Sequence, residues 1–367
     1  MIPLCVPHII GNEWKYIKEC LDTNWVSSAG SYVDKFEQKF SEFLKIKKSV
    51  VTINGTAALH LALKALGICE GDEVIVSSLT FISPVNAIRY VGAVPVFVDV
   101  CRDSYVMDVE KIEELITEKT KAILPVHIYG HPVDMGKVME LAKKYNLKVI
   151  EDATESLGSL YKGRHTGTIG DIGCFSFNGN KLITTGAGGM LVTNDVEIGE
   201  YTKYLSNQTK TVMENGGFCH EEIGYNYRMP NIVAAMGVAQ MESIEHYCSI
   251  KKRNADTYSQ LLKEVVGVTL PVQKHDAENI NWLYSVVIEN EYKLSRDDLI
   301  KTLKQNNIES RPFFMPIHLM KPYSQCRHGD MSVTIELSRK GINLPSSVGI
   351  TIEEIQYVTR IIKMYSV

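Results

Sequence analysis

The stretch that decides the fold class is residues 49–67, which read SVVTINGTAALHLALKALG. Its first five residues are mostly apolar and predict a short buried strand. The NGT at 54–56 predicts a tight turn. The rest of the stretch is rich in helix formers and closes on a glycine, which predicts a helix. Residues 49–67 therefore form a strand, a turn and a helix in succession.

The same alternation continues toward the C-terminus. Short apolar runs typical of buried strands occupy residues 73–77, 94–99, 122–126 and 148–152. A helical stretch lies between the first two runs, and another lies between the last two. Such alternation predicts an α/β fold, in which helices flank a mostly parallel sheet.

A carboxylate stands at the end of one predicted strand. Asp152 closes the run at 148–152. Ligands of open α/β sheets bind outside the carboxyl ends of the strands, which gives Asp152 a functional interpretation. The alternative is a helix N-cap, a common structural role of aspartate.

The C-terminal third changes character. Residues 201–229 are polar and glycine-containing, which predicts a long and partly mobile excursion. A helical stretch at 231–262 then leads to a strand at 282–288 and a further helix. We expect two domains: a large domain at 1–245 and a smaller α+β domain at 246–367.

Composition excludes several classes of function. Among the 367 residues, 45% are hydrophobic and 22% charged, and the net charge is −4 without a long basic run, which argues against a nucleic-acid partner. The eight cysteines are scattered singly, so no metal site is expected. Neither a signal peptide nor an apolar run of membrane-spanning length is evident. We expect a cytoplasmic protein without membrane contact.

Lys181 is the strongest candidate for a catalytic residue. It lies in GCFSFNGNKLITTGAGG, residues 173–189, five positions after Ser176 and with small residues on both sides. There the backbone can approach an aldehyde cofactor closely while the amine forms an imine with it. The pattern indicates pyridoxal phosphate (PLP). The alternative is an ordinary solvated lysine.

PLP chemistry also needs a carboxylate for the pyridine nitrogen, donors for the phosphate and a flat apolar surface over the ring. Asp152 supplies the carboxylate. Gly55 and Thr56, at the turn entering a helix, offer backbone amides, a hydroxyl and the positive end of the helix to the phosphate. Ser176 offers a second hydroxyl. Phe81 follows a strand and offers a stacking face, although core packing is its alternative.

Four motifs in this order resemble the DegT/DnrJ/EryC1/StrS family of PLP-dependent sugar aminotransferases: NGTAAL at 54–59, EDATES at 151–156, GDIGCFSF at 170–177 and NKLITTGAGG at 180–189. The resemblance covers nearly the full length. It implies a type I, aspartate aminotransferase-like fold of the PLP-dependent transferases. It also implies a homodimer with each active site at the subunit interface.

The resemblance assigns roles residue by residue. Lys181 matches the Schiff-base lysine and proton shuttle, and Asn226 matches an asparagine that reaches the partner subunit's cofactor phosphate. Glu155 occupies a position where many relatives carry glutamine or histidine, so its role toward the ring's phenolic oxygen stays open. The residues that match cofactor contacts are Gly55, Thr56, Phe81, Asp152, Glu155, Ser176, Lys181 and Asn226.

The expected reaction follows from the same resemblance. Relatives that dehydrate the sugar carry histidine in place of Lys181, so transamination is favoured, with L-glutamate as the family's amino donor. The sequence of residues 11–30 resembles that of the subgroup acting at C4 of nucleotide-linked 4-keto-6-deoxy sugars. Within this subgroup it is most similar to the enzyme that aminates UDP-4-keto-6-deoxy-N-acetylglucosamine on the way to legionaminic acid. GDP-4-keto-6-deoxymannose aminotransferases, the perosamine synthases, share much of the region around Lys181 and form the alternative. Substrate-side candidates, each with an equally plausible structural role, are Trp25, Ser27, Ser28, Arg311 and His318.

Two other classes compete with this hypothesis. An NAD-dependent sugar-nucleotide enzyme would need a G-x-G-x-x-G turn after the first strand, but the turn at 54–56 has a single glycine. A non-catalytic PLP-binding regulator is the second rival. The joint presence of Lys181, Asp152 and Ser176 argues against a decayed active site.

Overall fold

The structure is a computed structural model that describes residues 1–366. Val367, the last residue of the expected small domain, lies outside the described residues. Within them, the chain forms eleven α-helices, which are α1 Glu13–Asp22, α2 Ser31–Leu44, α3 Gly55–Ala65, α4 Ser83–Tyr90, α5 Met135–Tyr145, α6 Val196–Ser206, α7 Asn231–Met241, α8 Ile244–Leu262, α9 Arg296–Gln305, α10 Ser332–Lys340 and α11 Ile352–Lys363.

The same residues form sixteen strands, most of them short. In chain order they are β1 Lys48–Thr52, β2 Glu73–Ser77, β3 Val94–Val98, β4 Thr120–Leu124, β5 Lys148–Asp152, β6 Leu160–Tyr161, β7 Arg164–His165, β8 Ile172–Ser176, β9 Gly189–Thr193, β10 Lys210–Val212, β11 Phe218–His220, β12 Val268–Thr269, β13 Ala277–Glu278, β14 Tyr284–Ile288, β15 Arg311–Pro312 and β16 Gly341–Leu344.

A seven-stranded sheet forms the centre of the molecule, in the order β1-β9-β8-β5-β4-β2-β3. The five strands β8, β5, β4, β2 and β3 are parallel to one another, whereas β9 is antiparallel to both β8 and β1. The central strands are nearly continuous runs of buried apolar residues, because helices cover both faces of such a sheet. The predicted α/β fold with a mostly parallel sheet is confirmed.

The helix α3 lies inside the fold, with seven consecutive buried residues from Ala57 to Leu63. Asn54 caps it, because its side-chain oxygen accepts a hydrogen bond from the amide of Ala57 at 2.8 Å. The cap fixes where the helix begins. It thereby sets the position of the Gly55 end relative to the sheet.

The C-terminal part contains a second, antiparallel sheet in the order β12-β14-β16-β15. A separate hydrophobic cluster joins this sheet to α8, α9 and α11. The predicted boundary at 245/246 falls at the start of α8, and it stays a prediction. The first residues of the chain pack against the C-terminal part, because the amide of Ile2 donates to the carbonyl of Asn307 at 2.7 Å.

Two details differ from the sequence-based expectation. The predicted helix at 231–262 is two helices, α7 and α8, separated by a tight turn in which the Glu242 and Ser243 amides bond to carbonyls three residues earlier. The excursion at 201–229 contains the end of α6 and a small exposed hairpin, β10–β11. Across residues 1–366, no helix combines the length and the apolar character needed to cross a membrane.

Candidate active site

A cavity of about 390 Å³ opens where β5 and β8 end and α3 begins. This is the edge of the sheet at which ligands of α/β proteins bind. Eight residues that the sequence singled out line this one cavity: Gly55, Thr56, Phe81, Asp152, Glu155, Ser176, Lys181 and Arg311. Residues that are far apart in the sequence therefore meet at a single site.

Lys181 lies in the turn that follows β8, where its amide donates to the carbonyl of Asn178 at 3.0 Å. Its side chain is only 13% exposed, and its Nζ is 3.7 Å from Oε1 of Glu155. The same Nζ lies 3.8 Å from the centre of the Trp282 ring. The solvated-lysine alternative is thus excluded, since the amine points into the cavity between a carboxylate and an indole.

The two carboxylates of the cavity are almost fully buried. Oδ1 of Asp152 accepts a hydrogen bond from the Thr154 amide at 3.1 Å, and Oε2 of Glu155 accepts one from the Tyr129 amide at 2.8 Å. Burial raises the pKa of both carboxyls, and the charge of Lys181 offsets only part of that rise. Both groups would be stabilised as carboxylates by a further cationic partner in the cavity.

No α-helix begins at Asp152 among residues 1–366, so its N-cap interpretation does not hold. Its position is fixed through its neighbour, Glu151. The buried Glu151 carboxylate accepts hydrogen bonds at 2.6 to 2.8 Å from three backbone amides of residues 167–170, and Nε2 of His127 lies 3.0 Å away. His127 Nδ1 accepts from the Val133 amide, which places the ring proton on Nε2. Since successive strand residues point to opposite faces, this anchor directs Asp152 toward the cavity.

The start of α3 forms the anion-binding end of the cavity. Gly55 and Thr56 are the first two residues of this helix, and amides at a helix start lack acceptors within the helix. Oγ1 of Thr56 donates to Oγ of Ser83, the first residue of α4, at 2.9 Å. A Cβ added at Gly55 would lie 2.9 Å from the Cβ of Ser176, so only glycine permits this approach. The donor set suits a phosphate dianion.

Phe81 provides an aromatic surface at the cavity. Its side chain is 54% exposed, and its ring centre lies 5.9 Å from that of Phe314. A core-packing role is therefore excluded. The exposed ring is suited to stack on a planar ligand.

Five other candidates do not line the cavity: Trp25, Ser27, Ser28, Asn226 and His318. Asn226 is exposed and pairs with Asn207, and the N-terminal candidates lie on the surface or near it. His318 is buried, with Nδ1 at 2.7 Å from Oγ of Ser78. Their assigned roles stay predictions.

Sequence reasoning missed several lining residues. Ser83 begins a helix, and a search for serines at helix starts would have found it. Trp282 and Leu4 carry no local signal, because Trp282 follows Lys181 by about a hundred positions and Leu4 comes from the other end of the chain. Among residues 1–366, no group of three or more His, Cys, Asp or Glu side chains is placed to hold a metal ion.

The fold and this site together define an enzyme of the type I transferase class. The chain belongs to the DegT/DnrJ/EryC1/StrS aminotransferase family, whose family model matches residues 7–363. The chain is an aminotransferase that acts on sugars. The NAD-dependent and regulatory alternatives are therefore set aside.

Individual relatives agree with this assignment. The chain is 45% identical to GDP-perosamine synthase of Escherichia coli over 97% of this chain and 96% of the relative. It is 38% identical to EpsN of Bacillus subtilis, named as a proposed pyridoxal phosphate-dependent aminotransferase, over 96% of this chain and 92% of the relative. Among solved structures, PseC of Helicobacter pylori, an aminotransferase of pseudoaminic acid biosynthesis, superposes with a TM-score of 0.94 at 25% identity, over 100% of this chain and 99% of PseC.

Proposed function

We propose that this enzyme uses PLP to transfer the amino group of L-glutamate to C4 of a nucleotide-linked 4-keto-6-deoxy sugar. The observation that carries the proposal is the convergence of a buried lysine, a buried strand-end carboxylate and a helix start on one cavity. Family membership supplies the reaction class, and the relatives supply the class of substrate.

The residues of the cavity fit PLP. An amine for the aldehyde is present at Lys181, and a carboxyl with a raised pKa is present at Asp152. A cationic partner would stabilise the carboxylate form of Asp152, and a protonated pyridine nitrogen is such a partner. The start of α3 would hold the phosphate, and Phe81 would cover the ring. When bound, PLP supplies the electron sink that makes the α-proton of an amino acid removable.

The chain's own residues handle the proton. Lys181 is the cavity's amine, and in its free form it is suited to act as general base and then as general acid between the substrate carbon and the cofactor. Glu155 Oε1, 3.7 Å from Nζ, is close enough to keep the amine oriented into the cavity. The low exposure of Lys181, Asp152 and Glu155 excludes bulk water, which strengthens their interactions and limits loss of the proton to solvent.

For the substrate we propose a GDP-linked 4-keto-6-deoxyhexose first. The support is the 45% identity to a GDP-perosamine synthase over nearly the whole chain. A UDP-linked 4-keto-6-deoxy-N-acetylglucosamine is the second candidate, because residues 11–30 resemble the UDP-sugar subgroup. This order reverses the preference from sequence alone.

An amination assay separates the two substrates. Purified enzyme loaded with PLP is given L-glutamate and either sugar nucleotide, and 4-amino sugar is quantified by mass spectrometry. We expect the GDP-linked sugar to be converted with the higher kcat/KM. Preference for the UDP-linked sugar would refute the first candidate, and conversion of neither would refute the proposed substrate class. Lys181→Ala serves as the inactive control.

We further propose a homodimer in which Asn226 reaches the partner's cofactor phosphate. The support is its exposure and its position outside the cavity of its own chain. Mixed dimers test this: one subunit carries Asn226→Ala and the other Lys181→Ala. If Asn226 acts across the interface, both defects fall on one site of the mixed dimer and the other site stays intact. About half of the wild-type activity is then expected, and its absence would contradict the assignment.

A further inference from the structure

We propose that Trp282 is a positioning residue for the Lys181 amine: it holds the amine when it is free and thereby shifts the balance between the free lysine and the lysine attached to the cofactor. This inference rests on the proposed function of Lys181. Trp282 matches none of the motifs that assigned the other site residues. Its role follows from the contacts in the cavity.

The first observation is the geometry of the amine. Nζ of Lys181 lies 3.8 Å from the centre of the Trp282 ring, well inside the range of a cation–π contact. Trp282 is 5% exposed, so the contact is largely shielded from water. Glu155 Oε1 lies 3.7 Å from the same Nζ, so the carboxylate and the face of the indole are the two partners of the charged amine.

The second observation is how firmly the indole is held. Nε1 of Trp282 donates to the carbonyl of Asn180 at 2.7 Å, and that residue immediately precedes Lys181. Nζ of the buried Lys251 donates to the carbonyl of Trp282 at 2.8 Å and to that of Ser346 at 2.5 Å. The indole is therefore bonded to the lysine's own turn, and the Trp282 backbone is bonded to helix α8. These hydrogen bonds fix the position of Trp282 before any cofactor binds.

The thermodynamic consequence has a definite sign. Attachment joins the lysine nitrogen to the aldehyde carbon with release of water, and the ammonium first gives up a proton. The contact with Trp282 stabilises the charged amine, and only an unattached lysine, as in the cofactor-free protein or beside bound pyridoxamine phosphate, can make that contact. Loss of the ring should therefore favour attachment. A shielded cation–π contact corresponds to about a five- to thirty-fold change in an equilibrium.

The test compares two ligands that differ in whether they attach. Equilibrium dialysis of cofactor-free protein gives Kd for PLP and for pyridoxamine phosphate, and the quantity of interest is the ratio of the second Kd to the first. For Trp282→Leu we expect this ratio to rise by about five- to thirty-fold, through tighter PLP binding. Trp282→Phe keeps a ring face and should give a smaller rise. General damage to the cavity would weaken both ligands and leave the ratio unchanged, which would overturn the proposal.

Two further variants sharpen the test. The Sγ of Cys5 also donates to the Asn180 carbonyl, at 3.1 Å. Cys5→Ala removes that donor but leaves the indole of Trp282 unchanged, so the ratio of the two Kd values should stay as in the wild type. In a Lys181→Ala background, Trp282→Leu should leave the ratio unchanged, because no lysine remains to be held. An equal rise in that background would mean that the indole acts on the cofactor, and would overturn the proposal. If Trp282→Leu does not fold, Trp282→Phe decides.

The same measurements separate this inference from the proposed function. Lys181→Ala alone should lower the ratio strongly, because PLP loses its covalent attachment. If it does not, the assignment of Lys181 fails, and the role of Trp282 fails with it. If it does but both Trp282 variants match the wild type, only the role of Trp282 is overturned.

Discussion

Gly55→Ala tests the close approach between the start of α3 and the end of β8. A Cβ at this position would lie 2.9 Å from the Cβ of Ser176 and 3.2 Å from Cγ2 of Thr154. Neither atom is the far end of a flexible side chain, so the backbone segments must separate. Overpacking of this kind costs about 1 to 3 kcal/mol, whereas the gain in helix propensity is at most about 1 kcal/mol. We therefore expect Gly55→Ala to lower the free energy of unfolding.

The expected effect on stability is small. For a chain of this size, about 1 kcal/mol corresponds to a change in Tm of roughly 1 °C, so the cofactor-free variant should melt only about 1 to 2 °C lower. The effect on cofactor binding should be larger. If α3 and Ser176 hold the cofactor phosphate as proposed, moving Ser176 away from the α3 amides would weaken at least one charge-assisted hydrogen bond, each of which contributes about 1.5 to 3 kcal/mol, so Kd for PLP should rise by at least about tenfold.

The assay is equilibrium dialysis against PLP, together with thermal melting of the cofactor-free protein. Gly179→Ala is the matched control, because a Cβ there meets no atom within 4 Å although the residue lies two positions before Lys181. The control should bind PLP as the wild type does. Unchanged PLP affinity in Gly55→Ala would refute the placement of the phosphate between α3 and β8.

Two further predictions concern the polar groups of the cavity. Because burial raises the pKa of the Asp152 carboxyl, the folded cofactor-free protein binds this proton more tightly than the unfolded chain, and stability falls as pH rises through the raised pKa. Asp152→Asn should therefore raise Tm of the cofactor-free protein more at pH 8 than at pH 5, while turnover falls by about 10²- to 10³-fold; a gain that is larger at pH 5 would contradict this. Thr56→Val should raise Kd for PLP by about tenfold and Thr56→Ser by less than about threefold, and equal effects would exclude the hydroxyl as a phosphate ligand.

Local patterns were sufficient for the sheet and for the strand-end carboxylate. Each strand of the parallel region is a short apolar run, so its burial and its end could be predicted from neighbouring residues, including Asp152. The place of Gly55 at the start of a helix was likewise predictable from the turn at 54–56. The break between α7 and α8 could not be predicted from local sequence. Both helices have good helix formers up to the turn, so tertiary packing decides where they separate.

Contacts over long sequence distances could not be predicted in this way. Trp282 reaches Lys181 only because the chain returns from the C-terminal part to the end of β8. Arg311 was proposed as a substrate-side residue and does line the cavity, but Leu4 was missed because its segment packs beside β16. The role proposed for Asn226 depends on a second chain. Periodicity within one chain carries no information about that surface.

The most direct test of whether Lys181 attaches PLP is borohydride reduction of the PLP-loaded enzyme followed by peptide mass mapping. We expect one stable pyridoxyl adduct, on the ε-nitrogen of Lys181, with loss of the visible absorption band. Trp282→Phe should give the same adduct at the same position. An adduct on another lysine, or no adduct on freshly loaded protein, would show that Lys181 is not the residue that attaches PLP.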